Sequence, residues 1–139
     1  MSLTFFKNVN GQISNIIQNN CSGCLPVGWH MPTNTEWTKL SSNLDQNAGG
    51  GKMKENCKAN WNSPNTGATN ESGFTALPGG LRETSNGTFY NIGSNGGFWS
   101  VTGAGAYEAW YSYLNFDDVN ISSILNNKAT GYSVRCLKD

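Results

Sequence analysis

The sequence of 139 residues has little charge of either sign. Only 13% of its residues are charged, which is about half the usual share, and nine acidic residues balance nine basic ones. Because there is no basic excess to neutralise phosphates, the composition argues against electrostatic nucleic-acid binding. No apolar run approaches the roughly 20 residues of a membrane-spanning helix. We therefore expect no nucleic-acid partner and no insertion of this chain into a membrane.

The usual signatures of catalytic and cofactor sites are also missing. His30 is the single histidine, and its apolar neighbours favour a packed, hydrogen-bonded role over that of a catalytic base. Asp117 and Asp118 form the one adjacent acidic pair, without the second carboxylate of a glycosidase or the ligand spacing of a calcium loop. The glycine-rich segment 48–53 lacks the Ser or Thr of a phosphate-binding loop and is predicted to be a mobile turn. We expect no enzyme, no cofactor and no metal site.

In place of charge, the sequence has many small polar residues and aromatics. Asn (20), Ser (14), Thr (11) and Gly (17) make up 62 of the 139 residues, and five Trp, five Tyr and six Phe accompany them. Disordered chains are usually poor in aromatics and rich in charge. The composition therefore indicates a folded domain that is rich in turns.

The cysteines leave the redox state open. They are Cys21, Cys24, Cys57 and Cys136. An even number in a small, loop-rich domain favours disulfides and an oxidising compartment, and four cysteines allow three pairings. The C-x-x-C of Cys21 and Cys24 lacks the helix that follows a thioredoxin-like redox site. A zinc site could use Cys21, Cys24, His30 and Cys57, although no second ligand pair supports it.

Apolar periodicity and turn residues predict one early helix followed by short strands. Thr33 and Glu36 have the spacing of a capping box, and Trp37, Leu40 and Leu44 share one helical face. This pattern predicts a helix over about 33–45. Gly and Asn turns then separate strand-like runs, which are 74–77, 98–102, 109–114 and 132–137. One helix with several short strands is typical of an α+β fold with an antiparallel sheet and long loops.

Residues 101–133 combine tyrosines with small polar residues in the manner of a binding surface. Tyr and Trp provide large contact areas at low entropic cost, while Ser, Asn and Gly supply adaptable hydrogen bonds. We expect Trp110 and Leu114 to fill the core. We expect Tyr107, Tyr111, Tyr113 and Phe116 to be exposed. The predicted ligand-binding residues are Tyr107, Tyr111, Tyr113, Asn115, Phe116, Asp117, Asp118, Asn120, Ser122 and Ile124. With so little charge, recognition should depend little on salt.

An ordered series of motifs resembles the Fibrobacter succinogenes major paralogous domain. The segment from Cys24 to Trp37 is similar to the family's opening, C-P-x-G-W-H-x-P-[ST]-x-x-E-W. Further matching segments are 50–54, 61–74, 75–82, 98–100 and 131–136. The resemblance covers about residues 24–139. Residues 1–23 are interpreted as an N-terminal extension, with a β-hairpin predicted at Asn10 and Gly11.

This family resembles the C-type-lectin-like fold, which the formylglycine-generating enzymes share. The resemblance implies a compact α+β domain whose N- and C-terminal strands lie close together. It also implies the disulfides Cys24–Cys136 and Cys21–Cys57. The calcium-binding triplets of the lectins do not occur in the sequence, and the paired catalytic cysteines of the formylglycine enzymes have no clear counterpart.

Some members of this fold are variable proteins of diversity-generating retroelements, which mutate adenines in selected codons. An Asn codon mutated at its two adenines cannot reach Lys, Glu, Gln, Met or Trp. Within residues 101–133, only Glu108, Trp110 and Lys128 belong to that set. The resemblance implies that Trp110, Lys128 and Gly131 are scaffold and that their neighbours form a variable face.

Our leading hypothesis is a non-enzymatic ligand-binding or adhesion domain. It would be extracellular, on a bacterial cell surface or a phage particle, and would bind a protein or glycan on another cell or surface. One alternative is a descendant of the formylglycine-generating enzymes, with Cys57 or Cys136 as nucleophile. The other alternative is a purely structural module of a larger surface protein.

Overall fold

A computed structural model describes residues 25–45, 47–57 and 59–139. The described part of the chain has a mixed α+β fold. Its elements are β1 (Trp29–His30), α1 (Asn34–Leu44), α2 (Gly49–Met53), β2 (Leu81–Arg82), β3 (Phe89–Tyr90), β4 (Asn95–Ala104), β5 (Glu108–Asn115), β6 (Ser122–Asn127) and β7 (Leu137–Lys138). The hairpin predicted at Asn10 and Gly11 lies outside the described residues. None of the helices in these ranges has the length and hydropathy required to span a bilayer.

The largest sheet is the antiparallel meander β4–β5–β6. Strands β2 and β3 form a short antiparallel pair, and β1 pairs with β7. In this last pair, Trp29 lies opposite Lys138 and His30 lies opposite Leu137. The close approach of the terminal strands that the family resemblance implied is therefore confirmed for the described residues.

Helix α1 begins and ends close to the predicted positions because its signals are local. The Thr33 side chain accepts a hydrogen bond from the backbone N–H of Glu36, and the Glu36 carboxylate accepts one from the backbone N–H of Thr33. This reciprocal capping box satisfies two N–H groups that the first turn of a helix leaves without partners. Trp37 is buried, and Leu40 and Leu44 pack against the same core. The predicted helical face is confirmed.

Two aromatic cores lie on opposite faces of the three-stranded sheet. One core, between the sheet and α1, contains Trp37, Met53, Trp61, Phe74, Ala76, Phe98 and Leu114. The other contains Met31, Trp99, Ala109, Tyr111 and Tyr132. Successive strand residues point to opposite faces, so Phe98 and Trp99 contribute to different cores. Leu114 is 1% exposed, as predicted, whereas Trp110 is only partly buried.

The glycine-rich segment after α1 is a buried helix, so the prediction of a mobile turn is wrong. Its glycines allow α2 to approach other backbone segments closely. A Cβ atom at Gly50 would lie 2.2 Å from the carbonyl oxygen of Asn120, and one at Gly51 would lie 2.3 Å from that of Gly67. Such distances are far shorter than van der Waals contact. Glycine is therefore required at position 50 by packing against the loop that follows β5, and at position 51 by packing against the backbone at Gly67.

Two of the predicted strands are wrong. Segment 74–77 makes only an isolated bridge at Ala76, because Thr75 has a φ of 53° and is held by two hydrogen bonds to the Asn70 side chain. Segment 132–137 enters a strand only at its last residue. Its Arg135 turns into the core, where the guanidinium donates to the carbonyl of Phe74 and lies 4.3 Å from that ring's centroid.

Candidate functional site

Five of the ten predicted binding residues lie on one face of the three-stranded sheet. Tyr111, Tyr113 and Asn115 alternate along β5, and Ser122 and Ile124 alternate along β6. The antiparallel register places Tyr111 opposite Ile124 and Tyr113 opposite Ser122. Because directly paired residues point to the same side, these side chains share a face that the linear sequence does not reveal.

Exposure within this group differs sharply from the prediction. Ile124 is 46% exposed and Tyr113 is partly buried, but Tyr111 is only 8% exposed. The exposure predicted for Tyr111 is therefore wrong, and so is that predicted for Tyr113, which packs partly against the same core. Its ring stacks on Tyr132 with centroids 4.2 Å apart and meets Trp99 edge-on at 5.8 Å. Burial, together with a hydrogen bond to Tyr132, raises the pKa of the Tyr111 phenol well above its ordinary value of 10.0.

The Tyr132 ring can cover the sheet beside Tyr111 because the residue of β4 beneath that ring is a glycine. Gly97 of β4 lies opposite Tyr113, and a Cβ atom at Gly97 would lie 2.4 Å from the Tyr132 ring. The Tyr132 hydroxyl accepts a hydrogen bond from Asn126 of β6 at 2.8 Å. Tyr132 thus closes part of the face, and Tyr113 stacks on the buried Tyr111 at 5.6 Å. The accessible part consists of Tyr113, Asn115, Ser122 and Ile124, which we call the sheet face.

The loop after β5 holds four further predicted binding residues. Phe116 is partly buried against the core of α1, so its predicted exposure is wrong. The Asp118 carboxylate accepts hydrogen bonds from the backbone and side-chain nitrogens of Asn120 at 3.0 and 2.8 Å. The side chains of Asp118 and Asn120 are therefore both engaged in this local turn. Asp117 is exposed, and it therefore offers the free carboxylate of this loop.

A buried lysine fixes the same loop. Lys54 is fully buried, and its ammonium group donates to the carbonyl oxygens of Thr66, Asn115 and Asp118 at 2.8, 2.9 and 2.8 Å. These three acceptors match the three N–H bonds of an ammonium group. Burial lowers the pKa of Lys54, while the charges of Asp118 and Asp117 oppose that shift. Lys54 was not among the predicted site residues. The only signal for it in the sequence is that it lies within segment 50–54, which matches the family motif.

Tyr107 lies at the opposite end of β5 from this loop. It is 79% exposed, as predicted, in the turn between β4 and β5. Lys128 holds that turn, since its ammonium group donates to the carbonyls of Gly105 and Ala106 at 3.0 and 3.3 Å. The backbone N–H of Lys128 also donates to the carbonyl of Tyr107 at 2.9 Å. Lys128 therefore has the structural role that the family resemblance implied for it.

The separation of the two ends limits what one ligand can contact. Strand β5 has eight residues, and at about 3.4 Å per residue its ends lie about 24 Å apart. A small molecule cannot bridge that distance. A protein or a long glycan can, because a standard interface covers about 800 Å² on each partner, which corresponds to a disc about 30 Å across.

The cysteines do not form the implied pairs in this structure. Cys57 and Cys136 are free thiols, and Cys21 and Cys24 lie outside the described residues. The disulfides Cys24–Cys136 and Cys21–Cys57 are therefore not observed. Cys57 is exposed, whereas Cys136 is buried, and burial raises the pKa of the Cys136 thiol. A thiol that resists ionisation is a poor nucleophile.

The single histidine, His30, forms hydrogen bonds with two carboxylates, which agrees with the hydrogen-bonded role predicted for it. His30 Nδ1 lies 2.6 Å from an Asp139 carboxylate oxygen, and Nε2 lies 3.1 Å from a Glu36 carboxylate oxygen. These hydrogen bonds, to Asp139 first and to Glu36 second, raise the pKa of His30. Across 25–45, 47–57 and 59–139, no three His, Cys, Asp or Glu residues are grouped as metal ligands would be.

Comparison with known proteins identifies the family of the chain. The family model of the Fibrobacter succinogenes major domain matches residues 8–138. The match includes residues 8–23, which the motifs alone do not reach. No curated protein and no solved structure shows a significant match. Since the family model spans nearly the whole sequence, the chain belongs to the Fibrobacter succinogenes major domain family.

Proposed function

We propose that this chain is a non-enzymatic binding domain with a C-type-lectin-like fold. It captures a protein or glycan ligand at a bacterial cell surface, outside the cell or on a phage particle. The observation that carries this proposal is the sheet face itself. Tyr113, Asn115, Ser122 and Ile124 lie side by side on two paired strands and combine an aromatic ring, an aliphatic group and hydrogen-bonding groups.

The backbone beneath these side chains supports a recognition role. Lys54 secures the loop at one end of β5, and Lys128 secures the turn at the other. A binding surface loses less entropy when its backbone is already ordered. Strand β6 is mainly solvent-exposed, so its side chains can change with little effect on the cores. Such a strand suits the variable face of a retroelement-diversified protein.

The chemistry of the thiols favours a binding domain over a formylglycine-generating enzyme. That alternative requires Cys57 or Cys136 as a nucleophile. Cys136 is 2% exposed, and its raised pKa disfavours the thiolate. Cys57 is exposed, so it is the one described thiol that this alternative could use.

A cell-binding experiment with a matched control tests the proposal. Fluorescently labelled domain is applied to fixed bacterial cells, and the bound fraction is measured by flow cytometry. The variant Tyr113→Ala/Ile124→Ala removes one tyrosine and one isoleucine from the sheet face. The control Tyr90→Ala/Ile92→Ala removes the same two residue types from exposed positions elsewhere, which are 46% and 64% exposed. We expect the first variant alone to lose binding, and equal binding by the two variants would contradict the proposal.

The same assay separates the two ligand classes. Protease treatment of the cells removes protein ligands, whereas mild periodate oxidation destroys glycan rings. Loss of binding after one treatment identifies the class. Binding that survives both treatments would refute a protein or glycan ligand.

Diversification is tested separately at the level of the gene. We expect codons 101–136 to differ from a nearby near-repeat only at positions where the repeat has adenine. Invariance of residues 103–130 among sibling copies would instead favour the alternative of a purely structural module.

A further inference from the structure

Strand β6 is an outer strand of the three-stranded sheet, and one of its edges has no neighbouring strand in the described part of the chain. The other outer edge of the sheet, on β4, is covered, since the backbone N–H of Trp99 donates to the carbonyl of Ser133. At the centre of β6, Ser123, Ile124 and Leu125 are all exposed. The sheet therefore ends in an open, accessible strand.

The hydrogen-bond pattern shows which backbone groups of β6 face this open edge. In an antiparallel pair, directly opposite residues alternate between pairs that exchange backbone hydrogen bonds and pairs that do not. The N–H of Lys128 donates to the carbonyl of Tyr107, which lies opposite it in the continued register of β5 and β6. By this alternation Ile124 is also bonded to β5, whereas the N–H and C=O groups of Ser123 and Leu125 point to the open edge.

The pairing of β4 with β5 gives the same alternation independently. The N–H of Phe116 donates to the carbonyl of Ser94, which continues the register in which Asn115 lies opposite Asn95. The even-numbered residues at this end of β5 therefore bond to β4. Its odd-numbered residues are left to bond to β6, as Tyr107 does.

Four backbone groups on the open edge have no partner within the residues that the structure describes. They are the N–H and C=O groups of Ser123 and Leu125. The next outward-facing residue is satisfied locally, because the N–H of Asn127 donates to the Asn126 side chain and its C=O accepts from Thr130. Exposed edges are usually guarded by charge, proline or a bulge. Strand β6, with the sequence SSILNN, has no charged residue or proline and pairs with β5 without a register shift.

We propose that β6 pairs with β6 of a second copy of this chain, antiparallel and about a two-fold axis that passes beside Ile124. In this register the N–H and C=O of Ser123 bond to the C=O and N–H of the partner's Leu125, and symmetry repeats the pair. The resulting hydrogen bonds use all four free groups. An axis at Leu125 would require the occupied groups of Asn127, and an axis at Ser123 would require Ile121, which lies outside the strand.

The side chains fit the same register. Ile124, which is 46% exposed, lies opposite the partner's Ile124 in a pair without backbone bonds, where side chains approach most closely. Ser122 lies opposite the partner's Asn126, so that polar groups also face each other. This match of apolar with apolar and polar with polar favours a second copy over an unrelated strand.

The charges at the two ends of the strand are complementary as well. Antiparallel pairing brings Lys128, which directly follows β6, toward the end of the partner's strand that the exposed Asp117 precedes. Glu108, the other charge at the Lys128 end, belongs to β5 and is one strand farther from the edge. Opposite charges therefore approach at both ends of the paired strands.

The dimer would present both sheet faces on one side. The two-fold axis is perpendicular to the sheet, so the two three-stranded sheets join into one sheet without exchanging their faces. Bivalent attachment strengthens binding to a surface that carries repeated ligands. The contact is confined to one strand per subunit, and small interfaces are typical of weak association. Dimerisation goes beyond the proposed function, which does not require it.

Sedimentation equilibrium of the full chain, without any ligand, measures this association. We expect the average mass to rise from 15.0 kDa toward twice that value as the chain concentration increases from about 1 μM to 1 mM, the range of weak binding. Amide hydrogen exchange, followed by NMR at both concentrations, locates the interface. The amides of Ser123 and Leu125 should exchange several-fold more slowly at the higher concentration alone, whereas that of Ile124, bonded to β5, should be protected at both.

Two lysine substitutions form a matched pair. Ile124→Lys places two ammonium groups opposite each other at the axis and should keep the chain monomeric. Ile92→Lys makes the same change at another position, which is 64% exposed, and should dimerise like the wild type. Tyr113→Ala alters the sheet face away from the edge strand and should also dimerise, which separates this test from that of the ligand site. Circular dichroism checks that each variant is folded.

Three results would overturn the proposal: a monomeric mass at every concentration, a dimer that survives in Ile124→Lys, or protection of Ser123 and Leu125 that does not depend on concentration. The last result would mean that another segment of the same chain pairs with β6. If Ile124→Lys failed to fold, the mass and exchange of the wild-type chain would decide between these outcomes.

Discussion

The ammonium group of Lys54 lies 2.9 Å from the carbonyl oxygen of Asn115, the last residue of β5. This bond links a residue just after α2 to the point where the sheet ends and the binding loop begins. Two further carbonyls, those of Thr66 and Asp118, complete the coordination of the ammonium group. A single buried cation thus joins the segment at Thr66 to the loop at residues 115–118.

Replacing this cation should destabilise the domain strongly. Lys54→Met removes the ammonium group and leaves three carbonyls without their donor, so we expect the free energy of unfolding to fall by about 3 kcal/mol. Lys52→Met is the matched control, because Lys52 makes only a partly exposed ion pair with Glu71 at 3.6 Å and should change stability by less than about 1 kcal/mol. Urea denaturation measures both variants. Equal effects of the two substitutions would show that Lys54 does not anchor the loop.

The tyrosines of the binding segment should divide into structural and exposed groups. Tyr111→Ala removes a ring that is packed between Trp99 and Tyr132, and it should lower the free energy of unfolding by about 3–5 kcal/mol. Tyr107→Ala truncates a side chain that is 79% exposed and should change it by no more than about 0.5 kcal/mol. Thermal and chemical denaturation distinguish these outcomes. If Tyr111→Ala were as stable as Tyr107→Ala, the stacked core would be wrong.

The contacts of His30 should make stability depend on pH. The raised pKa of His30 means that its contribution is complete below its ordinary value of 6.5 and is lost as the pH rises through the folded-state value. The pKa of Glu36 is lowered, first by the backbone hydrogen bond from Thr33. Its contribution is complete above the ordinary value of 4.5 and is lost as the pH falls through the folded-state value. Both contributions are present together between these two ordinary values.

Melting temperatures measured across that range test this expectation. His30→Gln should melt below the wild-type protein between pH 4.5 and 6.5, and the difference should shrink at alkaline pH. Thr88→Gln, at an exposed position, controls for the new amide. A difference that is constant with pH would mean that the imidazole charge makes no contribution.

The two described thiols should differ in reactivity. Native protein treated with N-ethylmaleimide should be modified quickly at Cys57, which is exposed, and slowly at Cys136, which is buried with a raised pKa. Peptide mapping by mass spectrometry locates the label. Labelling of Cys136 after unfolding without reductant would establish a free thiol. Failure to label it under those conditions would instead show that Cys136 is in a disulfide, and the disulfide-linked peptide found by mapping without reductant would test whether its partner is Cys24.

Helix α1 could be predicted because all of its determinants are close in sequence. Thr33 and Glu36 cap it, and the i, i+3, i+7 spacing of Trp37, Leu40 and Leu44 selects its buried face. Strands β4 and β5 were indicated by runs that lie within their observed bounds. Strand β6 was missed because its composition, SSILNN, is mainly polar. Its extended conformation depends on pairing with β5, which is not local information.

The wrong predictions for segments 48–53 and 74–77 have two different physical origins. The glycine-rich segment 48–53 has the composition of a turn, yet its lack of side chains allows close contact with the backbone at Asn120 and Gly67. Segment 74–77 has the composition of a strand, but the Asn70 side chain holds Thr75 in a left-handed conformation. In the first case close backbone contact with separate segments overrides the local preference, and in the second a side-chain turn between residues only five positions apart does so.

The sequence by itself determined the family, the low charge, the capped helix and the stretch of chain that contains the candidate binding face. Only the tertiary structure decided which aromatics in that stretch meet solvent. Tyr111 and Tyr113 are equivalent by composition and by strand alternation, and they point to the same side of β5. They differ because Tyr132, from a separate segment, covers Tyr111 and leaves Tyr113 partly open. Alternation is a local property of a strand, but coverage by a remote side chain arises only when the whole chain has folded.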